Sequence, residues 1–373
     1  MVTEEDSLVI SPDELKSLYL KNDDFVVIDV REPEEFHDWK IHGSTNVPLG
    51  DNFVPRVREV AQDGRVITVC RTGVRSLYAV RELEEAGLNA KSLRGGMVAW
   101  SNTYLSSEME IPGAPGSKLI QIRRLSKGCT SYILGHGNDC MVVDPSSRIE
   151  EHLSLANSNG FKITHVIDTH KHADHISGAR LLASSAGAEL LLCPKDHYYF
   201  EYGELVDGEN IRSGDGHIDI RLLHTPGHTP GSTSLLVNDS MLLSGDTLFL
   251  DGMGRPDLQG STEESAKQLY KTCQTIFEKL DSDTVVLPAH FGSCTDLMGK
   301  EPVSAPISMV KAHVERVDLS DVNAVEGLVR NLPKPANYES ILRINSGQDH
   351  YDPSIADLLE EGHNRCAFSF GAS

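Results

Sequence analysis

The sequence predicts an α/β protein in two domains, a parallel-sheet unit at the amino-terminal end followed by a strand-rich α/β unit. Three observations carry this expectation. Up to about residue 100, apolar β-branched runs alternate with stretches of helical periodicity. Residues 101–117 then lose periodicity and hold the turn-rich Pro112-Gly-Ala-Pro115-Gly116. Beyond them, short apolar runs outnumber helical stretches. A length of 373 residues suits two domains, and 39% hydrophobic with 24% charged residues is ordinary for a globular chain.

Ser11-Pro-Asp-Glu14 has the pattern of a capping box and starts a helix carrying Leu15 and Leu18. Val26 to Val30 and Val66 to Cys70 read as buried strands. Arg75 to Ala86 reads as a helix with Val80 and Leu83 on one face, stopped at Gly87. The expected domains are 1–105 and 118–373, joined by a linker at 106–117. In the second, strands are expected at Val142-Val143, Thr164 to Asp168, Leu190 to Cys193, Ile218 to Leu223, Leu235 to Val237, Met241 to Ser244 and Val285 to Leu287. Helices are expected at Gly178 to Ser185 and Glu263 to Leu280. An extension from about residue 300 carries a turn at Pro333-Lys-Pro335 and a helix over 339–344.

A formal charge of −21 repels nucleic acid and anionic membranes, so neither is an expected partner. The seven cysteines (Cys70, Cys129, Cys140, Cys193, Cys273, Cys294 and Cys366) are odd in number, scattered and without a CxxC pair. That speaks against a disulfide framework and for a reducing compartment. No signal peptide and no bilayer-length apolar run is visible, so the expected location is cytoplasmic.

Cys70-Arg-Thr-Gly-Val-Arg75-Ser76 lies between a predicted strand and a predicted helix. A helix start presents unpaired N–H groups that favour an anion or a thiolate. Gly73 lets the loop curl, and Arg71 and Arg75 add fixed positive charge. Cys70 is therefore a candidate nucleophile toward sulfane sulfur. The loop resembles the active-site loop of single-domain rhodaneses. Val27-Ile-Asp29-Val-Arg31 with Glu35-Phe36, Ile41-His-Gly43-Ser-Thr-Asn46-Val-Pro48 and Leu93-Arg-Gly95-Gly96-Met-Val-Ala-Trp100 agree with that family in order, over roughly residues 8 to 102. The resemblance implies that Cys70 carries a persulfide and that thiosulfate or sulfite exchanges sulfur there. Asp29, Arg31 and Glu35 are expected to hydrogen-bond around strand ends.

Thr169-His170-Lys-His172-Ala-Asp174-His175 is the densest signal in the chain. It follows a predicted strand, as do His228, Asp246 and His290 further on, so all can meet at one sheet edge and bind a metal. His37, His152, His313 and His363 read instead as scattered surface histidines, and His165 and His224 as strand residues. The cluster, with Val143-Asp144-Pro145, resembles the metallo-β-lactamase superfamily over about residues 118 to 300, which implies an αβ/βα sandwich.

Two chemistries fit those residues. A dinuclear zinc hydrolase of the glyoxalase II type would use His170, His172, Asp174, His175, His228, Asp246 and His290 together. Alternatively, His170, His228 and Asp246 form the two-imidazole, one-carboxylate set suited to a single Fe(II) with open positions. Gly245-Asp246-Thr-Leu-Phe-Leu-Asp-Gly-Met-Gly254-Arg255-Pro256-Asp257-Leu258 resembles the persulfide dioxygenase version of its loop. The tail around Asn337 and Asn364-Arg365-Cys366 does so too. That resemblance implies oxidation of a low-molecular-weight persulfide, glutathione persulfide foremost, by O2 to sulfite and thiol. His172, Asp174, His175 and His290 would then support the ligands, Arg255 would either attract a substrate carboxylate or orient its loop, and the protein would be a homo-oligomer.

Overall fold

The computed structural model describes residues 4–62, 64–259, 261–291, 299, 301–316, 321, 325, 327, 334–335 and 337–369. Cys294 and the start of the expected turn at Pro333 lie outside these residues. In the first domain, five parallel strands form a sheet in the order Val9–Ile10, Ala90–Leu93, Arg65–Val69, Phe25–Asp29, Thr45–Asn46. Both faces are covered, so the central strands are continuous apolar runs rather than alternating ones. Ile28, Val66, Val80 and Leu83 pack on one side, and Val27, Ile67, Leu15 and Trp100 on the other. Ser11 accepts from the Glu14 amide and Glu14 reaches back to the Ser11 amide, which closes the expected capping box.

The second domain stacks two mixed sheets. One runs Gly203–Glu204, Glu189–Leu192, Lys162–Ile167, Asp139–Val143, Thr130–His136, Lys118–Arg124, Tyr104–Met109. The other runs Asn210–Ser213, Ile218–His224, Thr233–Val237, Met241–Gly245, Val285–Pro288, Ala305–Pro306. Side chains alternate across each strand. Met241, Leu243 and Leu287 point inward to meet Leu134, Met141 and Ile167 of the facing sheet. Leu242 and Val286 point outward beneath the helices Thr262–Lys279 and Ile307–Val314. Ile133, Val142 and Val166 pack outward against Ile149–Ser158 and Ala179–Ala186. The result is the αβ/βα sandwich.

Three features differ from the expectations. Tyr104–Met109, spanning the expected domain end and the start of the linker, is an edge strand paired antiparallel with Lys118–Arg124. Its Ser-rich sequence lacks the apolar alternation that marks a strand. His152 is not a surface residue: its ring is fully buried and bonded to Ser131 at 2.8 Å. The tail helix is longer than 339–344, running Tyr338–Ser346. No helix among the described residues is long and apolar enough to cross a membrane.

Candidate metal centre and cysteine loop

The candidate metal ligands all lie beyond the carboxyl ends of strands. Lys162–Ile167 runs parallel to Asp139–Val143, so Asp144 and the His170–His175 loop leave at the same end. Met241–Gly245 runs parallel to Val285–Pro288, which does the same for Asp246 and His290. The Thr233 amide donates to the Thr169 carbonyl at 2.8 Å and joins the two sheets at that edge. Gly245 (φ 54°) and Gly254 make the approach possible. A Cβ on Gly254 would sit 2.1 Å from the Asp246 carbonyl oxygen and 2.8 Å from the His228 ring.

His170, His228 and Asp246 converge. His228 Nε2 is 3.4 Å and His170 Nε2 is 3.6 Å from Asp246 Oδ2, and all three residues are buried. None of these three atoms has a hydrogen-bond partner. Buried orphans of this kind are costly unless something else satisfies them. Here three lone-pair donors within 4.8 Å of one another fit a metal ion.

The neighbours explain why those lone pairs face inward. His228 Nδ1 donates to the Arg255 carbonyl at 2.9 Å, leaving Nε2 as the free acceptor. Thr169 Oγ1 donates to Asp144 Oδ2 at 2.8 Å, so its oxygen accepts from His170 Nδ1 at 3.0 Å. His290 spans two carboxylates, Asp246 Oδ1 at 2.6 Å and Asp174 Oδ2 at 3.0 Å. Burial works against charge on His290, but Asp246 and Asp174 outweigh it and hold the imidazole well above the ordinary histidine range. Burial and the adjacent His172 push His170 well below that range, which keeps it neutral as a ligand must be.

The remaining cluster members form two further groups. His172 turns away from the centre, with Nε2 at 3.3 Å from Asp144 Oδ1 and 3.9 Å from Asp168 Oδ1. Asp174, His175 and His290 gather with Cys129, whose Sγ lies 3.5 Å from Asp174 Oδ2 and 3.7 Å from His175 Nδ1. Burial and Asp174 raise the Cys129 thiol, yet His175 and His290 leave it net lowered. Sequence reasoning did not single out Cys129, because a lone cysteine before a strand carries no signal.

Arg255 is buried in an ion pair. Its side chain is 1% exposed and forks onto Asp257 at 2.7 and 2.8 Å, while its backbone carbonyl holds His228 and its amide donates to Cys366. Its Nη1 also reaches the Arg365 carbonyl at 3.2 Å, so the guanidinium is enclosed by protein groups.

In the first domain Cys70 directly follows the strand Arg65–Val69, and Gly73 (φ 93°) turns the chain into the helix Val74–Glu85. The Gly73 amide donates to Cys70 Sγ at 3.2 Å and Ser76 Oγ lies 3.4 Å from it. The Met97 and Val98 amides donate to the Cys70 and Arg71 carbonyls. A Cβ on Gly96 would fall 2.2 Å from the Cys70 carbonyl oxygen, so only glycine fits that close approach. Arg75 forks onto Glu35 at 2.7 and 2.8 Å, and Arg71 forks onto Glu361. Asp29 and Arg31 pair with each other in the core, as expected, but Glu35 serves the cysteine loop rather than a strand end.

A sandwich of this layering with a histidine–carboxylate centre at one sheet edge defines a metallo-β-lactamase-fold metalloprotein. Residues 127–290 match the metallo-beta-lactamase superfamily, and residues 11–103 match the rhodanese-like domain. The mouse protein named persulfide dioxygenase ETHE1, mitochondrial, is 30% identical over 192 residues, covering 49% of this chain and 72% of that protein. An uncharacterized protein of Mycobacterium leprae is 32% identical over 195 residues, covering 45% of this chain and 88% of its own. The crystal structure of ETHE1 from Myxococcus xanthus superposes with a TM-score of 0.55 at 25% identity, covering 62% of this chain and 99% of that one. The chain therefore belongs to the ETHE1-like branch of the metallo-beta-lactamase superfamily and carries a rhodanese-like domain ahead of it.

Proposed function

We propose that this chain oxidises a low-molecular-weight persulfide, glutathione persulfide foremost, with O2 and water to sulfite and the parent thiol. The balanced reaction is RSSH + O2 + H2O → RSH + SO3²⁻ + 2 H⁺. One Fe(II) would be held by His170, His228 and Asp246, and Cys70 would carry sulfane sulfur between thiosulfate or sulfite and the thiol pool. The observation that carries this reading is the trio of unpartnered buried atoms, His170 Nε2, His228 Nε2 and Asp246 Oδ2. Two imidazoles and one carboxylate are the set suited to iron with open positions. Iron bound there supplies redox electrons and vacant positions for O2 and sulfur, which zinc's filled shell does not.

The chain's own residues prepare that centre. Thr169 and the Arg255 carbonyl fix the two imidazole tautomers. His290 bridges Asp246 Oδ1 and Asp174 Oδ2, which fixes the Asp246 carboxylate and leaves its Oδ2 facing the two imidazoles. All seven residues of the constellation are buried, which strengthens the electrostatic interactions among them.

A second reading has a specific basis. Asp174, His175 and His290 with Cys129 also lie within 4.8 Å of one another and can hold another ion, as a dinuclear zinc thioester hydrolase would require. The turned-away His172 favours the first reading, because that hydrolase draws on all seven cluster residues. The test is to purify the protein anaerobically with iron, count metal per chain and record O2 uptake on adding glutathione persulfide. Full loading with no uptake, tried also with a coenzyme A persulfide, would falsify the dioxygenase reading. Two zinc ions and turnover of S-lactoylglutathione would establish the other. Cys70→Ser should abolish thiosulfate-dependent sulfur transfer and leave O2 uptake intact.

A further inference from the structure

We propose that Glu361 is a built-in competitor for anionic sulfur donors at the Cys70 loop: it occupies the Nε–Nη2 edge of the Arg71 guanidinium and offsets its charge, so thiosulfate gains that two-bond edge only by displacing it. This deepens the reading of Cys70 as a sulfur carrier and rests on it. The transfer concerned is Cys70–S⁻ + S–SO3²⁻ → Cys70–S–S⁻ + SO3²⁻. The Cys70 Sγ–S bond forms, the S–S bond of thiosulfate breaks, and sulfite leaves with the electron pair. The donor arrives with two negative charges and needs positive charge near Cys70.

Both guanidinium groups beside Cys70 are already taken. Arg75 is held by Glu35 of the helix Pro33–Asp38, in the same domain. Arg71 is held by Glu361 of the second domain, with Nη2 2.7 Å from Oε2 and Nε on Oε1. This two-bond fork is the geometry in which a guanidinium takes an oxyanion, so carboxylate and thiosulfate compete for the same donors. The Arg71 and Glu361 side chains are 44% and 29% exposed. Solvent therefore reaches the pair, and exposed pairs of this kind open readily.

Glu361 does not drift away as a surface side chain on a loose loop would, because its backbone is pinned on both sides. Glu360 is buried, pairs with Arg124 and accepts from the Ile176 amide at 2.8 Å, directly after the metal-binding loop. Its carbonyl accepts from Lys127 Nζ at 2.8 Å. The Asn364 amide donates to the Lys127 carbonyl, and the Cys366 carbonyl accepts from the Arg255 amide. The second domain thus presents a fixed carboxylate to the cysteine loop. With both arginines neutralised, the loop favours a persulfide, which brings one charge on its sulfane sulfur, over thiosulfate, which brings both of its charges to the loop.

The experiment compares Glu361→Gln with the parent in the full-length iron-loaded protein, assaying sulfur transfer from thiosulfate and from glutathione persulfide. The expected result is a KM for thiosulfate lowered about three- to tenfold, with the KM for persulfide moving less than about twofold. Glu361→Asp, which shortens the arm and keeps the charge, should fall between the two. Equal changes for both donors, or none, overturn the proposal. If the parent transfers no sulfur at all, the reading of Cys70 fails by itself. Thiosulfate binding by calorimetry to Cys70→Ser and to Cys70→Ser/Glu361→Gln then decides: tighter binding to the double variant supports the competition, and equal binding overturns it.

Discussion

His290 Nδ1 lies 2.6 Å from Asp246 Oδ1, and this one contact decides which Asp246 oxygen is left for a metal. With Oδ1 engaged, only Oδ2 faces His170 and His228. Replacing Asp246 with Ala removes a ligand outright, and metal content by mass spectrometry should drop below about a tenth of an ion per chain. Replacing His290 with Ala keeps the three ligands but frees Asp246 to rotate. There the metal should remain, bound about 10- to 100-fold more weakly in chelator competition. Equal metal loss in both variants would place His290 among the ligands and favour the dinuclear reading.

Thr169 acts on His170 from behind. Its hydroxyl passes a hydrogen bond to Asp144 and receives one from His170 Nδ1. Thr169→Val preserves shape and removes both. The expected outcome is metal affinity weakened about 10-fold or more with little change in the circular dichroism spectrum. Affinity equal to the parent's would show that the ring is oriented by packing alone.

Gly254 is limited by space rather than by φ. A methyl group there collides with the Asp246 backbone and the His228 ring. Gly254→Ala should cost most of the O2 uptake while the first domain's sulfur transfer persists. The ratio of the two activities in one preparation is the measurement, and parallel losses would point to general misfolding.

His152 provides a pH signature away from the metal centre. Burial holds its imidazole down to about 4, whereas an unfolded histidine titrates near 6.5. As pH falls the unfolded chain takes up the proton first, so stability is lost from about 6.5 down to about 4. Between pH 7 and pH 5 this amounts to about 2 kcal/mol. In urea titrations, His152→Leu should flatten the pH dependence by about that amount. An unchanged slope would mean the ring is protonated in the native state.

The centre was largely legible because each of its residues lies within a few positions of the end of an apolar run, and parallel pairing brings most such positions to one edge. Strand patterning likewise gave both sheets of the sandwich in part. Contacts that depend on a side chain's direction were not legible. The motif spacing cannot say that His172 faces Asp144 and Asp168 instead of the centre. Nor does it show that Arg255 is enclosed. Cys129 reaches the site because its backbone bridges to His290, a pairing that no local pattern encodes. The carboxylates on Arg71 and Arg75 were missed for the same reason: Glu361 and Glu35 lie far from the cysteine loop in sequence.

The strand Gly252–Gly254 finds its partner in Ala367–Ser369, well over a hundred positions after His228. The Arg255 carbonyl that aims His228 follows that strand directly. Translation delivers these pieces in order, and domains fold largely as they emerge. On the ribosome, the cysteine domain can therefore mature while the histidine side still lacks its final buttress. The finished geometry around His228 must therefore wait until residues 367–369 have emerged and paired with Gly252–Gly254.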